Sequence, residues 1–230
     1  MPSVLITSAN RGLGLEFARQ YLADGWRVFG ACRAPERAEE LQRLAATGRG
    51  HITVLQMDVT SRPSIDRAAA SVGDHAIDVL INSAGIIGKP ETVGGVDYDS
   101  WAEVLNVNAI GPVRVLEGFL ENIARSTRKL VVTITSGMGS IADNTAGGYI
   151  PYRSSKAAVN MVMRTAAIDL APRSLSCVLV NPGWVRTDMG GSSAPLSAEE
   201  SVTALRRLIQ TFGPAHSGKF FNHDGREYPW

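Results

Sequence analysis

The chain has 230 residues, of which 44% are hydrophobic, 20% charged and 7% aromatic. This composition is that of an ordinary globular protein, and the length favours one α/β domain over residues 1–230 rather than two complete domains. The 23 Lys and Arg against 22 Asp and Glu give a net charge of +1. That balance provides no electrostatic reason to expect nucleic acid or an acidic membrane as a partner.

The first residues read as a strand, at 3–7, rather than as a basic segment followed by an apolar stretch and a cleavage site. No apolar stretch approaches the roughly 20 residues that a membrane-spanning helix needs. We therefore expect a soluble, cytoplasmic protein without a membrane partner.

Short apolar runs alternate with helix-length segments along the whole chain. The runs are nearly continuous in apolar character, which is typical of parallel strands covered on both faces. Expected strands are residues 4–7, 27–32, 52–57, 79–82, 130–135, 176–181 and 219–222. Expected helices include residues 14–24, 36–46, 101–123, 152–170 and 197–211. The alternation predicts a doubly wound α/β fold, a parallel sheet of about seven strands with helices on both faces.

Both cysteines, Cys32 and Cys177, fall in expected strands. In a cytosolic protein this favours two reduced core thiols over a disulfide, which stays the alternative. Nothing near them has the spacing of metal ligands, so we expect no metal site. The Gly- and Ser-rich residues 190–195 are expected to form a mobile loop over a site, since a further helix and strand follow them.

The first expected strand leads into a glycine-containing turn at residues 7–14 and then an amphipathic helix. Glycines let the backbone approach a pyrophosphate, and a helix N-terminus offers free N–H groups to it. The pattern fits a dinucleotide-binding, Rossmann-type domain, although a tight strand-to-helix turn would explain it equally well. The candidate cofactor-binding residues here are Ser8, Asn10, Arg11, Gly12, Leu13 and Gly14.

Further candidates stand at the ends of the next strands, where ligands of open α/β sheets bind. Arg33 follows the second strand, and its charge and shape suit a ribose 2′-phosphate, with Arg11 as a second cation. Two ordinary surface arginines are the alternative, but the lack of an acid there favours NADP(H) over NAD(H). After the third strand, Asp58 would accept a hydrogen bond from the adenine amino group. The remaining cofactor-binding candidates at these ends are Val59, Asn82, Ala84 and Gly85.

Tyr152 and Lys156 form the strongest local pattern, because side chains four residues apart share one face of a helix. A neighbouring ammonium stabilises a phenolate, so we expect Lys156 to lower the pKa of Tyr152 toward neutrality. A surface pair is the alternative. Tyr149 is the competing tyrosine, but four residues after it stands Arg153 instead of a lysine.

Three further positions complete the candidate chemical site. Ser136 follows the fifth strand and would hydrogen-bond a substrate carbonyl, unless it merely begins a loop. Asn108 lies in a helical stretch interrupted by glycine and proline, and would hold a water or a backbone group, unless it is only the polar residue of a helix kink. After the sixth strand, a turn would place backbone groups and Thr187 against a carboxamide. The candidates in that turn are Pro182, Gly183, Val185 and Thr187.

Together these motifs resemble the short-chain dehydrogenase/reductase family in its single-domain form, over essentially the whole chain. The family's T-G-x-x-x-G-x-G loop corresponds to residues 7–14, its N-N-A-G segment to 82–85 and its Y-x-x-x-K to 152–156. The tetrad of the family falls on Asn108, Ser136, Tyr152 and Lys156. Within the family, the chain looks most like the C-factor/sniffer branch of carbonyl reductases, through residues 9–12, 139–141, 188–191 and the ending at 224–230.

The chain departs from the pattern of the family at three places. Ser8 replaces the first glycine of the loop, which would weaken cofactor binding if that position needs a positive φ, or would donate a hydroxyl to the pyrophosphate. Ser83 replaces an asparagine. More residues than usual, filled by 143–148, separate Ser136 from Tyr152.

The resemblance implies an NADP(H)-dependent carbonyl reductase or alcohol dehydrogenase. Tyr152 gives a proton to the substrate oxygen, Ser136 holds that oxygen, Lys156 also bonds the nicotinamide ribose, and Asn108 supports a water-linked proton path. Thr187 contacts the nicotinamide carboxamide. A short lid predicts an open cleft for medium-sized ketones, aldehydes or quinones.

The resemblance also implies a homodimer or homotetramer, formed through the long helices at 101–123 and 152–170. Two other functions stay open. One is a cofactor-binding regulatory or signalling protein with little turnover. The other is a sugar-nucleotide epimerase or dehydratase of the extended family type, although that type needs more chain after residue 182.

Overall fold

The computed structural model describes residues 1–48 and 50–230. It contains a seven-stranded sheet in the order β3-β2-β1-β4-β5-β6-β7, and every neighbouring pair is parallel. The strands are β1 Ser3–Thr7, β2 Arg27–Cys32, β3 Ile52–Gln56, β4 Val79–Asn82, β5 Leu130–Ile134, β6 Ser176–Asn181 and β7 Phe220–Asn222. The doubly wound fold with about seven strands is confirmed, and the strand limits differ from the predicted ones by a single residue at most.

The helices cover both faces of this sheet. Within the described residues they are α1 Gly12–Ala23, α2 Glu39–Thr47, α3 Arg62–Val72, α4 Tyr98–Leu105, α5 Gly111–Gly118, α6 Leu120–Ala124, α7 Ile150–Asp169 and α8 Ala198–Thr211. Helix α3 was missed from the sequence, although its start carries ordinary signals. Ser61 caps the first turn by accepting a hydrogen bond from the backbone N–H of Ser64, and proline occupies one of the first two helical positions.

The helical stretch predicted at 101–123 is interrupted, as its glycine and proline indicate, and it also has a second break that the sequence did not predict. A π-helical turn, Asn106–Ile110, separates α4 from α5, and a further break at Phe119 separates α5 from α6. Pro112 explains the first interruption, because proline cannot donate the backbone hydrogen bond that an uninterrupted α-helix requires. Single π turns of this kind often stand at functional sites. This one carries Asn108.

Two apolar layers hold the helices to the sheet. Successive residues of β1 point to opposite faces. Val4 and Ile6 therefore join the layer under α1, α2 and α8, whereas Leu5 joins the layer under α3 and α5. Burial on both faces explains why the strands are continuous apolar runs.

Cys32 and Cys177 are buried and free, as predicted. No helix in the described parts of the chain is both long and apolar enough to cross a bilayer.

Candidate active site

The carboxyl ends of the strands open into two adjoining cavities. The narrower cavity, of about 390 Å³, lies along the glycine-containing turn and the loops after β4 and β6. The wider one, of about 620 Å³, lies over the loop after β5 and the start of α7. Both are lined by Leu13, Ile87, Thr135, Tyr152, Pro182, Thr187 and Met189. A ligand that fills the narrower cavity would therefore meet a ligand in the wider one beside Tyr152.

The turn after β1 has the close backbone packing that a phosphate-binding loop requires. Helix α1 begins at Gly12, which has a φ of +53°, and its N-cap residue Arg11 makes no side-chain hydrogen bond to the helix. A side chain on Gly14 would overlap the carbonyl oxygen of Ser8. The first backbone N–H groups of α1 are thus left for a ligand, as at an anion-binding helix N-terminus.

Ser8 has a φ of +55°, in the left-handed region that glycine adopts freely and other residues rarely do. Position 8 therefore does require a positive φ, and Ser8 carries backbone strain that a glycine would not. Its side chain also lines the narrower cavity, where a hydroxyl can donate to a ligand.

Thr7 joins the first turn to the loop after β4. Its hydroxyl oxygen accepts hydrogen bonds from the backbone N–H groups of Ser83 and Ala84, each at 2.9 Å. In the preceding residue Asn82, the amide nitrogen lies 3.4 Å from the hydroxyl oxygen of Thr133, while the buried side-chain oxygen has no partner within the described chain. Gly85 lines the narrower cavity, whereas Asn82 and Ala84 do not.

The residues predicted to hold the adenosine end lie outside both cavities, with Arg11 the exception. Arg11 lines the narrower cavity and forms an exposed ion pair with Asp188 at 2.9 Å. Arg33 is exposed just after β2, and no carboxylate in residues 1–48 or 50–230 pairs with its guanidinium. Asp58 accepts two hydrogen bonds from Thr60, through its backbone N–H at 2.8 Å and its hydroxyl at 2.7 Å.

The other two candidates for the adenosine end, Val59 and Asn10, are less exposed than Arg33. Val59 is buried and packs against Gly111. A Cβ added to Gly111 would lie 3.0 Å from the Cγ2 atom of Val59. Asn10 is half-buried in the turn between β1 and α1.

Helix α7 delivers Tyr152 and Lys156 to the junction of the two cavities. It begins at Ile150, with proline in its first turn and with Tyr149 at the N-cap in a left-handed conformation, φ 51° and ψ 42°. Tyr152 is 7% exposed and Lys156 5%. The Lys156 ammonium donates to the carbonyl oxygen of Ile134 at 3.0 Å and lies 5.6 Å from the centre of the Tyr152 ring.

The protonation of this pair differs from the prediction. Burial raises the pKa of Tyr152, and a hydrogen bond with Ser136 only partly opposes the shift. Burial also lowers the pKa of Lys156 to about 8. The expectation that Lys156 lowers the pKa of Tyr152 is wrong for this geometry, because the ammonium stands over the ring instead of touching the hydroxyl, and desolvation of the phenolate dominates.

Ser136 reaches Tyr152 despite the longer separation in sequence. Ser136 begins the 3₁₀ turn Gly137–Gly139, and its hydroxyl oxygen accepts a hydrogen bond from the backbone N–H of Met138 at 3.1 Å. The additional residues at 143–147 are exposed. They therefore form an outer loop, and Ser136 still lines the wider cavity with Tyr152, near enough to lower the pKa of its phenol. The Tyr152 hydroxyl itself lies 4.0 Å from the Met189 sulfur, to which it donates.

Asn108 is 1% exposed and lies behind the cavity wall rather than in it. Its side-chain oxygen accepts from the backbone N–H of Ile86 at 2.8 Å, and its amide nitrogen donates to the Ile86 carbonyl oxygen at 2.8 Å and to the Ser155 hydroxyl at 2.9 Å. Ser155 in turn donates to the carbonyl oxygen of Tyr152 at 2.8 Å. Asn108 thus ties the loop after β4 to the first turn of α7.

The turn after β6 folds back over both cavities. Gly183, with a φ of +78°, and Val185 line the wider cavity, while Pro182 and Thr187 line both. The loop at residues 190–195 lies against this turn, whose side chains hydrogen-bond its backbone. Trp184 donates to the Gly190 carbonyl oxygen at 2.8 Å, and Arg186 donates to the carbonyl oxygens of residues 194 and 195 at 2.9 and 2.7 Å.

Several residues of the wider cavity were not proposed from the sequence. They are Met138, Asp143, Trp184, Met189 and Tyr228. Tyr228 lies in the ending at 224–230 that resembles the C-factor/sniffer branch, but that resemblance assigned no role to the residue.

A family model described as short chain dehydrogenase matches residues 2–196. The chain is 45% identical over 162 residues to a Myxococcus xanthus protein named C-signal, a match that covers 70% of this chain and 98% of that protein. The fold of this chain matches that of the carbonyl reductase Sniffer of Drosophila melanogaster with a TM-score of 0.94 at 33% identity, over 100% of both chains. An NADPH-bound carbonyl reductase from chicken fatty liver matches with a TM-score of 0.93 at 34% identity, over 100% of this chain and 99% of that one.

Proposed function

Because the chain belongs to the short-chain dehydrogenase/reductase family, we propose that it transfers a hydride between NADP(H) and a carbonyl compound or secondary alcohol, with Tyr152 as the proton donor. The observation that carries this proposal is the meeting of Ser136, Tyr152 and Lys156 where the two cavities join. Bound NADPH supplies the hydride in the direction of reduction. The chain's own residues supply the proton and hold the substrate.

Tyr152 and Ser136 act on the oxygen of the substrate carbonyl. Because burial raises the pKa of Tyr152, its hydroxyl carries a proton at neutral pH and can give it to the oxygen as negative charge develops. The hydroxyl of Ser136 hydrogen-bonds the same oxygen and stabilises that charge. The hydride on carbon and the proton on oxygen together convert the carbonyl to an alcohol.

Lys156 lies against the ring of Tyr152, with its ammonium 5.6 Å from the ring centre and bonded to the Ile134 carbonyl oxygen. Its pKa of about 8 leaves most of the side chain charged at neutral pH. The lysine also lies within the narrower cavity, where it would bond a ribose hydroxyl of the dinucleotide. Asn108 holds the backbone of Ile86 and the first turn of α7, and so keeps Tyr152 and Lys156 in place for a water-linked proton path.

The narrower cavity suits the pyrophosphate and nicotinamide end of a dinucleotide. The helix N-terminus at Gly12 and the backbone approach at Gly14 suit a pyrophosphate, and Thr187 suits the carboxamide. Arg33 and Arg11 are the cations that would hold a 2′-phosphate, with Asp58 near the adenine. The NADPH-bound carbonyl reductase from chicken liver supports this choice of cofactor.

The wider cavity suits medium-sized ketones, aldehydes or quinones. Met138, Trp184 and Met189 supply apolar and aromatic surface, and the volume of about 620 Å³ exceeds what a small aldehyde needs. A broad cavity with few charged contacts favours loose selection among carbonyls.

The first experiment replaces Tyr152 by phenylalanine. Loss of general-acid catalysis should lower kcat about 10²–10⁴-fold, with the dissociation constant of NADPH nearly unchanged, since the ring stays in place. Turnover is followed at the reduced-nicotinamide absorbance band with a panel of aldehydes, ketones and quinones. Tyr98→Phe, at a tyrosine that is 75% exposed, is the control. A Tyr152→Phe enzyme with ordinary turnover would remove this residue from the mechanism.

The cofactor preference is tested at Arg33. Replacing Arg33 by alanine should weaken NADPH binding about tenfold or more while leaving NADH binding unchanged, because only the 2′-phosphate contact is lost. Arg173 precedes β6, on the far side of β1 from β2, so Arg173→Ala is the control for loss of an exposed arginine. Equal losses for both cofactors would contradict the assignment of Arg33.

A second function is favoured by the 45% identity with the protein named C-signal and by the strained Ser8. In that case the chain binds the dinucleotide as a regulatory or signalling protein. Tight NADPH binding without turnover of any carbonyl in the panel would support this alternative over the first.

The partner expected is a second copy of this chain. Met161 and Ile168 of α7 are 67% and 62% exposed, an apolar surface that burial in a dimer or tetramer would remove from water. Sedimentation of the purified protein as a monomer would contradict this proposal.

A further inference from the structure

The last residues of the chain fold back onto the loop after β5. The carbonyl oxygen of Trp230 accepts hydrogen bonds from the backbone N–H groups of Ile141 at 2.7 Å and Ala142 at 2.8 Å, and from the Ser140 hydroxyl at 3.1 Å. Two residues earlier in the chain, the backbone N–H of Tyr228 donates to the carbonyl oxygen of Phe220 at 2.7 Å, so the segment is anchored to β7 as well.

The side chain of Tyr228 enters the wider cavity between these two anchors. Its hydroxyl donates to the Asp143 carboxylate at 2.7 Å. The same hydroxyl packs against the backbone of Gly137. A Cβ added to Gly137 would lie only 2.7 Å from the Tyr228 hydroxyl oxygen. Burial, followed by the hydrogen bond and the charge of Asp143, raises the pKa of Tyr228, so the hydroxyl stays a donor at neutral pH.

Gly137 links this contact to the chemistry, because it directly follows Ser136. Ser136 caps the 3₁₀ turn that Gly137 opens, and it lines the wider cavity together with Tyr152. Gly139 closes the turn against the backbone of Lys156. One face of the turn is thus fixed by α7, and the other face is held by the Tyr228 hydroxyl.

We propose that Tyr228 is a positioning residue, whose hydroxyl, held by Asp143, keeps the turn at Gly137–Gly139 in the conformation that presents Ser136 to the substrate oxygen. This inference rests on the proposed function, since it acts through Ser136. The Tyr228 ring forms part of the cavity wall, but the positioning role belongs to the hydroxyl.

The experiment combines Tyr228→Phe with Ser136→Ala in a double-mutant cycle, with NADPH and 4-nitrobenzaldehyde as the probe substrate. Tyr228→Phe keeps the ring and should lower kcat about tenfold, the effect of one hydrogen bond to a charged group, with KM changed less than about twofold. In the Ser136→Ala background the same change should have no further effect, because the serine through which it acts is gone. Tyr98→Phe is the control.

Asp143 provides an independent variant. Asp143→Ala should reproduce the loss of kcat, whereas Asp143→Asn, which keeps an acceptor for the Tyr228 hydroxyl, should lose less. A kcat for Tyr228→Phe equal to that of Tyr98→Phe would overturn the inference. So would a further tenfold loss in the Ser136→Ala background, because it would show that Tyr228 acts by another route.

Amide hydrogen exchange separates this inference from the proposed function. If the unmodified protein reduces no carbonyl, the proposed function fails, but the positioning of the turn can still be measured. Amides of residues 137–139 should exchange faster in Tyr228→Phe than in Tyr98→Phe. Equal exchange in the two variants would overturn the inference whether or not the protein turns over a substrate.

Discussion

Asn108 offers a direct test of how the π turn supports the site. The side chain is 1% exposed, and Asn108→Ala removes three hydrogen bonds, two with the backbone of Ile86 and one with the Ser155 hydroxyl. The backbone N–H and carbonyl of Ile86 would then have to find other partners. The loop after β4 would lose its tie to the first turn of α7.

The size of the effect follows from those three bonds. Each is worth about 1 kcal/mol net, so the free energy of unfolding should fall by about 3 kcal/mol. For a chain of this length each kcal/mol corresponds to roughly 2–4 °C, which gives a decrease in Tm of roughly 6–12 °C. Because the first turn of α7 also holds Tyr152, kcat should fall together with the stability.

The assay is thermal unfolding followed by circular dichroism, with urea unfolding as an independent measure of the free energy. Asn106→Ala, in the same π turn, is the matched control. It removes one hydrogen bond, from Arg114 at 2.6 Å, and should cost about 1 kcal/mol.

Equal effects at the two positions would refute the reasoning. They would mean that water or a rearranged loop satisfies the Ile86 backbone once Asn108 is absent. The clamp would then contribute no more than an ordinary polar contact of the turn.

Two further predictions concern backbone strain and buried charge. Ser8→Gly should raise the free energy of unfolding by about 0.5–1 kcal/mol. The substitution removes a left-handed strain of about 1–2 kcal/mol, but part of this gain is offset because glycine loses more conformational entropy on folding. A lower Tm would show instead that the serine hydroxyl stabilises the turn. Lys156→Met should stabilise the protein by about 2 kcal/mol at pH 7, because it removes a buried ammonium at the loss of one hydrogen bond to Ile134. Since the folded pKa of Lys156 is about 8 and the unfolded value 10.5, the penalty is complete below pH 8 and fades as the pH rises toward 10.5. Urea unfolding across this range should therefore show the advantage of Lys156→Met shrinking with pH, and a constant difference would contradict the buried charge.

The architecture could be read from the sequence because its signals are local. A strand buried on both faces must be apolar at nearly every position, and β1 and β4 show this without reference to any other part of the chain. Helix α3 was missed although the Ser61 cap and the proline that follows it mark its start. The interruption beside Asn108 was predicted from its glycine and proline, but its π geometry was not, because proline at 112 marks an interruption without stating its geometry.

The candidate site was predictable in its residue types and less so in its energetics. Tyr152 and Lys156 share a helix face by their spacing alone, and the structure brings Ser136 to them despite the longer intervening segment. The direction of the Tyr152 pKa was wrong, because desolvation depends on everything packed around a hydroxyl. No spacing rule contains that information.

The sequence by itself determined the parallel α/β architecture, the glycine-containing turn and the tyrosine–lysine pair, since each depends on residues within one or two turns of chain. Only the tertiary structure decided that Ser8 is strained, that Asn108 clamps Ile86, and that Tyr228 rests on Gly137. These features join segments far apart in sequence. Their distances arise from packing of the whole sheet, so no local pattern can encode them.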